Sequence, residues 1–192
     1  MESLLSPRDR IIKTSLHLFY TNGFHSVGTN QICAEAEVNK STLYHIFPSK
    51  VDMLLAALEV YAGDLTQQFR QIAKSSKTAN QKIEQIFELP FLANQNLQQQ
   101  FGHVKGCFVG NIALELSGQE ERVRTYLNQV FQTWAEVIEP VVQEIAGSQE
   151  IDTAKVARSI ITYLQGAILM AKATNNPQVI QDLAKSATRL VC

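Results

Sequence analysis

A chain of 192 residues is long enough for one ordinary domain, or for a small domain joined to a larger one, without disulfides or metals to hold its core. It carries 17 Lys plus Arg against 18 Asp plus Glu, with 45% hydrophobic and 18% charged residues. That balance excludes both a disordered acidic chain and a basic protein that coats nucleic acid, so any nucleic-acid surface must be local. Only 9 Gly and 5 Pro occur, which favours long helices over many turn-linked strands.

Helical periodicity runs through the whole sequence, and an all-α fold is expected. Ser6 and Pro7 open a first helix as N-cap and first-turn proline, Ile12, Leu16 and Phe19 share one face, and Gly23 closes it. Thr29 is placed to cap a short helix over Asn30 to Ala36, and Asn39 to cap another over Lys40 to Phe47. Two short helices three residues apart form a helix-turn-helix. Pro48 ends the second, and Ser49 caps a long helix striped by Leu54, Leu58, Tyr61, Leu65, Phe69 and Ile72. Ser75 to Thr78 reads as a connector, and Ile83, Ile86 and Phe87 continue the pattern until Pro90 interrupts it. The amide-rich stretch Asn94 to Gln100 reads as a loop or frayed helix end. Further helices are expected over about Gly106 to Leu116, over Gln119 to Ala146 with a kink at Pro140, from Asp152 to about Asn175, and from Pro177 onward.

The beginning of the chain, with Glu2, Pro7 and Asp9, lacks the basic end and apolar run of a signal segment. The most apolar helical pattern is broken by Thr162, Gln165 and Lys172, too often for a membrane span, so a soluble cytoplasmic protein is expected. Cys33, Cys107 and Cys192 are odd in number, widely spaced and without a CxxC pair, which argues against disulfides and structural zinc. No metal or cofactor is expected.

Within the second short helix, Leu43, Ile46 and Phe47 form a buried side, leaving Lys40, Ser41, Thr42, Tyr44 and His45 free for a partner. That many donors on a short helix suit a major groove or flanking phosphates. Lys50 and the Thr29 cap are further candidates for phosphate contact. Residues 1–52 hold 5 basic and 5 acidic side chains, so the region is not basic overall, and a helical hairpin that merely packs would show the same periodicity.

The run GFHSVGTNQICAEAEVNKSTLYHIFPSK, Gly23 to Lys50, resembles the DNA-binding segment of the tetracycline-repressor (TetR) family, where GF, T, IA, AGVSKGTLY and HFPSK-like elements occur in this order and spacing. The likeness covers about the first 55 residues closely; beyond them the helix succession and chain length are similar. It implies a helix-turn-helix DNA-binding domain over 1–52 and a helical ligand-binding and dimerisation domain over 53–192. It also implies Thr29, Lys40, Ser41, Thr42, Tyr44, His45 and Lys50 as contacts to a double-stranded operator. Glu37 stands where the family commonly has a turn glycine, Asn39 where it has a serine cap, and Ile46 where a histidine is frequent.

By the same resemblance the chain is expected to be a homodimer and a repressor, released from a palindromic operator by a small-molecule effector that is hydrophobic or thiol-reactive. Ile160, Leu164, Ala167, Ile168, Leu183 and Ala187 are the expected dimer interface; an entirely intramolecular core is the alternative. Phe69, Phe87, Phe91, Phe131 and Trp134, with Asn111 as a polar anchor, are expected to line an effector pocket, although aromatic stripes are also plain core. Cys107 lies in GCFVGN, similar to a segment of family members that respond to electrophiles and oxidants. Near a helix start, with Lys105 and His103 close in sequence, its thiol is either a low-pKa sensor or a packed core residue. The sequence has no GxSxG elbow, no glycine-rich phosphate loop ending in GK, no GxGxxG turn and no HExxH pair, so catalysis is not expected. The rival reading is an all-helical thiol-dependent enzyme acting on electrophiles through Cys107.

Overall fold

The computed structural model describes residues 5–191; the terminal Cys192 and the first four residues of the segment read for a signal lie outside them. Among the described residues there are nine α-helices and no strand: α1 (Pro7–Asn22), α2 (Thr29–Glu35), α3 (Lys40–Ile46), α4 (Lys50–Ala73), α5 (Ala79–Phe101), α6 (Phe108–Leu116), α7 (Glu121–Ala146), α8 (Thr153–Ala173) and α9 (Gln178–Ala187), followed by a 3-10 turn, Thr188–Val191. No described helix is long and apolar enough to cross a membrane.

Local side chains set the boundaries. Ser6, Asn39, Ser49 and Asp152 each accept a hydrogen bond from the backbone three residues on, so four expected caps are in place. Thr29 is not a cap: α2 starts on Gly28 with Thr29 as its first residue, leaving the hydroxyl free to accept from Tyr44 Oη at 3.2 Å. The α2–α3 turn passes through Glu37 at φ 53°, a left-handed conformation that disfavours a Cβ, and Arg10 donates to the Glu37 carbonyl at 3.3 Å. Glu37→Gly should therefore stabilise the chain by about 0.5–1 kcal/mol in denaturant melts, since the Arg10 bond is to the backbone and survives. A loss of stability would mean that the Glu37 side chain matters more than the turn.

Of the two readings of the stretch 94–100, a loop or a frayed helix end, the loop is wrong: the stretch is the helical end of α5. α5 runs unbroken through Pro90, and Asn94, 1% exposed, donates from its side chain to the Pro90 carbonyl at 2.9 Å. α7 likewise continues through Pro140. α4 packs against α1 in the head and against α7 in the body, so one continuous apolar core runs from Ile11 and Phe19 to Trp134, Ile160 and Ala187. The body is α7 on α8, with α9 lying between α5 and α8.

The expected dimer residues fall inside that core. Ile160, Leu164, Ala167, Ile168 and Ala187 are buried within one subunit and Leu183 packs against them, because α7, α9 and α5 already cover this face. The outward face of α8 instead carries Thr162, Gly166, Leu169 and Met170, the last two 51% and 53% exposed.

Candidate nucleic-acid interface and effector groove

α3 is held from below by Leu43 and Phe47, both buried, with Ile46 half-buried beside them. Its other face presents Lys40, Ser41, Tyr44 and His45 to solvent, with Thr42 half-buried at the edge. The Tyr44 hydroxyl, bonded to Thr29, ties this face to the start of α2. Lys50 is placed differently from its neighbours: its ammonium stands 4.2 Å from the centre of the Phe24 ring and 6.0 Å from that of Phe19, and burial pushes its pKa down while Glu115 partly restores it. It is therefore part of the joint between head and body as much as a candidate phosphate ligand.

That joint is built from single hydrogen bonds of long sequence separation. The Glu115 carboxylate, on α6, accepts from the backbone N–H groups of Phe24 at 3.0 Å and His25 at 2.8 Å. Tyr20 Oη donates to the Gly106 carbonyl at 2.8 Å, and Lys105 Nζ donates to the Thr21 carbonyl at 3.1 Å. Arg122 pairs with Asp52 at 2.8 Å, and Asp52, which also accepts from Ser49, is held below the usual carboxylate range by both. Thus α6 touches the head at its C-terminal end through Glu115 and at its N-terminal approach through Gly106.

The other side of α6 lines a surface groove of about 360 Å³ against α7 and α8, floored by Cys107 and walled by Asn111, Leu114, Phe131, Gln165 and Leu169. Three of the expected pocket residues, Cys107, Asn111 and Phe131, meet here. The other four do not: Phe69, Phe87, Phe91 and Trp134 are buried core. Phe69 stacks edge-on with Trp134 at 5.8 Å, and Trp134 Nε1 donates to Thr66 Oγ1 at 2.9 Å. The residues missed, Thr162, Gln165 and Lys172, are the polar interruptions of the apolar α8 pattern, a signal used above only against a membrane span.

Cys107 is the N-cap of α6, and its environment is that of the packed thiol, not of the low-pKa sensor. Gly106, at φ 87°, turns the chain so that Lys105 faces α1 while the thiol faces α8, where Gln165 Nε2 lies 3.7 Å from Sγ. His103 is engaged by the Phe101 carbonyl and Lys105. Burial pushes the Cys107 thiol up, an effect only partly offset by the N–H groups of Gly110 and Val109 and by Gln165, so the neutral thiol dominates near neutral pH. Gly110 is tightly fitted here: a Cβ would stand 2.7 Å from Gln165 Oε1.

A seven-residue helix with a donor-rich outer face, capped by Asn39 and set on a helical body, defines a helix-turn-helix DNA-binding regulator. Residues 11–57 match the bacterial regulatory proteins of the tetR family, and residues 83–186 match the C-terminal domain of LmrA/YxaF-like transcriptional regulators. The chain belongs to the TetR family of transcriptional regulators. It is 27% identical over 194 residues to the HTH-type transcriptional regulator YxaF of Bacillus subtilis (strain 168), covering 100% of this chain and 98% of that one. It is 28% identical over 185 residues to the HTH-type transcriptional repressor DhaR of Mycobacterium sp. (strain GP1), covering 91% and 87%. Its fold is similar to that of a cysteine-substituted CifR complexed with a 26-base-pair double-strand operator DNA, with a TM-score of 0.79 at 18% identity over 94% of each chain. None of these likenesses supports the thiol-dependent enzyme.

Proposed function

We propose that the chain is a cytoplasmic, non-enzymatic, ligand-responsive repressor. It acts as a homodimer on a palindromic operator, with the head at 1–52 reading DNA and the body at 53–192 holding a small hydrophobic effector. The observation that carries the DNA-reading part is the outer face of α3, where Lys40, Ser41, Tyr44 and His45 are exposed while Leu43 and Phe47 anchor the helix. Thr29, Thr42 and Lys50 complete the contact set at its edges. The repressor DhaR, a relative over most of both chains, supports the sign of regulation.

The outward face of α8, with Gly166 small enough for close approach between Leu169 and Met170, supports dimerisation there. A dimer must set its two α3 helices about one DNA turn, ~34 Å, or a multiple apart. An effector in the groove beside Cys107 would bear on α6 and, through Glu115, on the head. Binding unequally to two head positions, it would change operator affinity by the ratio of its affinities for them.

Selection of genomic fragments with the purified protein supplies the operator for the test. His45→Ala should change base preference at one position per half-site, at a cost of about 1–3 kcal/mol. Lys40→Ala should weaken binding to all sequences and lower the salt slope by about one unit. Unchanged affinity and preference in both variants would remove α3 as the reading element.

A further inference from the structure

Two lysines are buried among the described residues, and their surroundings differ. Lys82 donates to both carboxylate oxygens of Glu144, at 3.0 and 2.9 Å. Lys105, 8% exposed, forms no ion pair among the described residues. Its ammonium donates to the Thr21 carbonyl, meets His103 Nε2 at 2.8 Å and lies 5.0 Å from the centre of the Phe101 ring. None of these partners is a carboxylate, and burying an ammonium without one is costly unless something else balances it.

Lys105 lines a cavity of about 420 Å³ between the last turn of α1, the segment 103–105, α6 and α8. Lys172 enters the same cavity from α8, with Nζ donating to Asn111 Oδ1 at 2.8 Å, and the like charge of Lys105 bears on it. Glu115 is the acidic wall residue, and its carboxylate is already taken by two backbone N–H groups and faces Lys50 as well. Positive charge is therefore in excess. Phe19, Tyr20 and Leu114 make part of the wall apolar. A dianion such as phosphate would be repelled by Glu115 and poorly solvated by those rings, whereas a singly charged organic anion matches both walls.

We propose that this cavity binds a small organic monocarboxylate, its charged end between Lys105 and Lys172 and its apolar end on Phe19, Tyr20 and Leu114. The site is separate from the Cys107 groove, although Asn111, Leu114 and Lys172 border both. Each ammonium carries three N–H donors; Lys172 uses one on Asn111 and Lys105 at most two, on Thr21 and His103, so both keep a donor for the ligand. The Lys105–Thr21 bond ties the end of α1 to the body, so a ligand that shares this ammonium links occupancy to head position.

The test is calorimetric titration of the full chain, without DNA and at constant ionic strength, with acetate, butanoate, hexanoate and benzoate, each beside its uncharged amide. At least one carboxylate should bind saturably and its amide should not. Lys172→Gln should weaken that binding by about ten- to a hundredfold. Lys105→Met keeps the apolar stem and removes the charge while losing the Thr21 bond, so it should melt close to the wild-type temperature and lose binding to a similar extent. The proposal is overturned if no carboxylate binds, if the amides bind equally, if both variants bind like wild type, or if Lys105→Met melts well below wild type, which would make the ammonium a structural strut. With DNA absent from the titration, failure here leaves the regulator reading intact, and failure of the operator experiment leaves this site intact.

Discussion

Glu115→Ala should lower stability by about 2–4 kcal/mol and loosen the head before the body. The carboxylate accepts from the amides of Phe24 and His25, and a hydrogen bond to a charged group contributes about 1.5–3 kcal/mol where water does not replace it. His25 is exposed, so water recovers part of its loss. The Phe24 site is more enclosed, with Lys50 over the ring and so little room beside Gly23 that an added Cβ would stand 3.3 Å from a Glu115 oxygen. Removing the carboxylate also leaves Lys50 and Lys172 without the negative charge that both of them feel. Amide hydrogen exchange gives the sharper reading: protection of Phe24 and His25 should fall by more than that of core amides such as Ile138. Glu115→Gln keeps an acceptor and loses the charge, so it should fall between wild type and alanine. If exchange at Phe24 is unchanged in Glu115→Ala, the head is held by packing on α4 and the α6 contact is incidental.

Elements were more legible in the sequence than their partners. A cap is a local event, and Ser6, Asn39, Ser49 and Asp152 could be placed because the amide each accepts from is three residues away. The faces of α3 followed from spacing alone, since Leu43 and Phe47 lie one turn apart. Periodicity also put Ile160, Leu164, Ala167 and Ile168 on one side of α8, but it carries no information on whether α7 and α9 of the same chain or a second copy covers that side. The same blindness made Phe69, Phe87 and Trp134 look equally suited to a pocket and to a core. Cys107 left two readings open for a different reason. Closeness in sequence to Lys105 and His103 does not fix closeness in space, and the positive φ of Gly106 turns Lys105 and Cys107 to opposite sides of the segment. The joint between head and body could not have been read at all, because Glu115 and the Phe24 amide are 91 residues apart and the GF motif that holds Phe24 does not point to its partner.

Asn94→Ala is the other substitution with a large expected effect, and it tests what holds the turn before α6. The Asn94 amide is buried with every polar atom used: Nδ2 donates to the carbonyls of Pro90 at 2.9 Å and Gly106 at 3.2 Å, and Oδ1 accepts from the Gly106 N–H at 2.7 Å. It thereby pins the one residue whose positive φ sets the start of α6, and a Cβ on Gly106 itself would crowd Asn111 and Lys172, each at 3.1 Å. Alanine leaves the Gly106 N–H buried without an acceptor and opens a small cavity, which together should cost about 2–4 kcal/mol. The Gly106 carbonyl keeps its bond from Tyr20, so the loss should not exceed that range. Asn94→Asp separates the roles by pH. Its carboxylate can accept from Gly106 but faces two carbonyls, and burial would raise its folded-state pKa above the unfolded value of about 3.9. Stability relative to wild type should therefore be greatest below about pH 4, where the acid is neutral and can donate, and should be lost as pH rises through the raised value. Denaturant melts of Asn94→Asp at several pH values check this directly. A variant equally stable at pH 4 and pH 7, relative to wild type, would show that water reaches this position and that Asn94 does not hold the turn before Cys107.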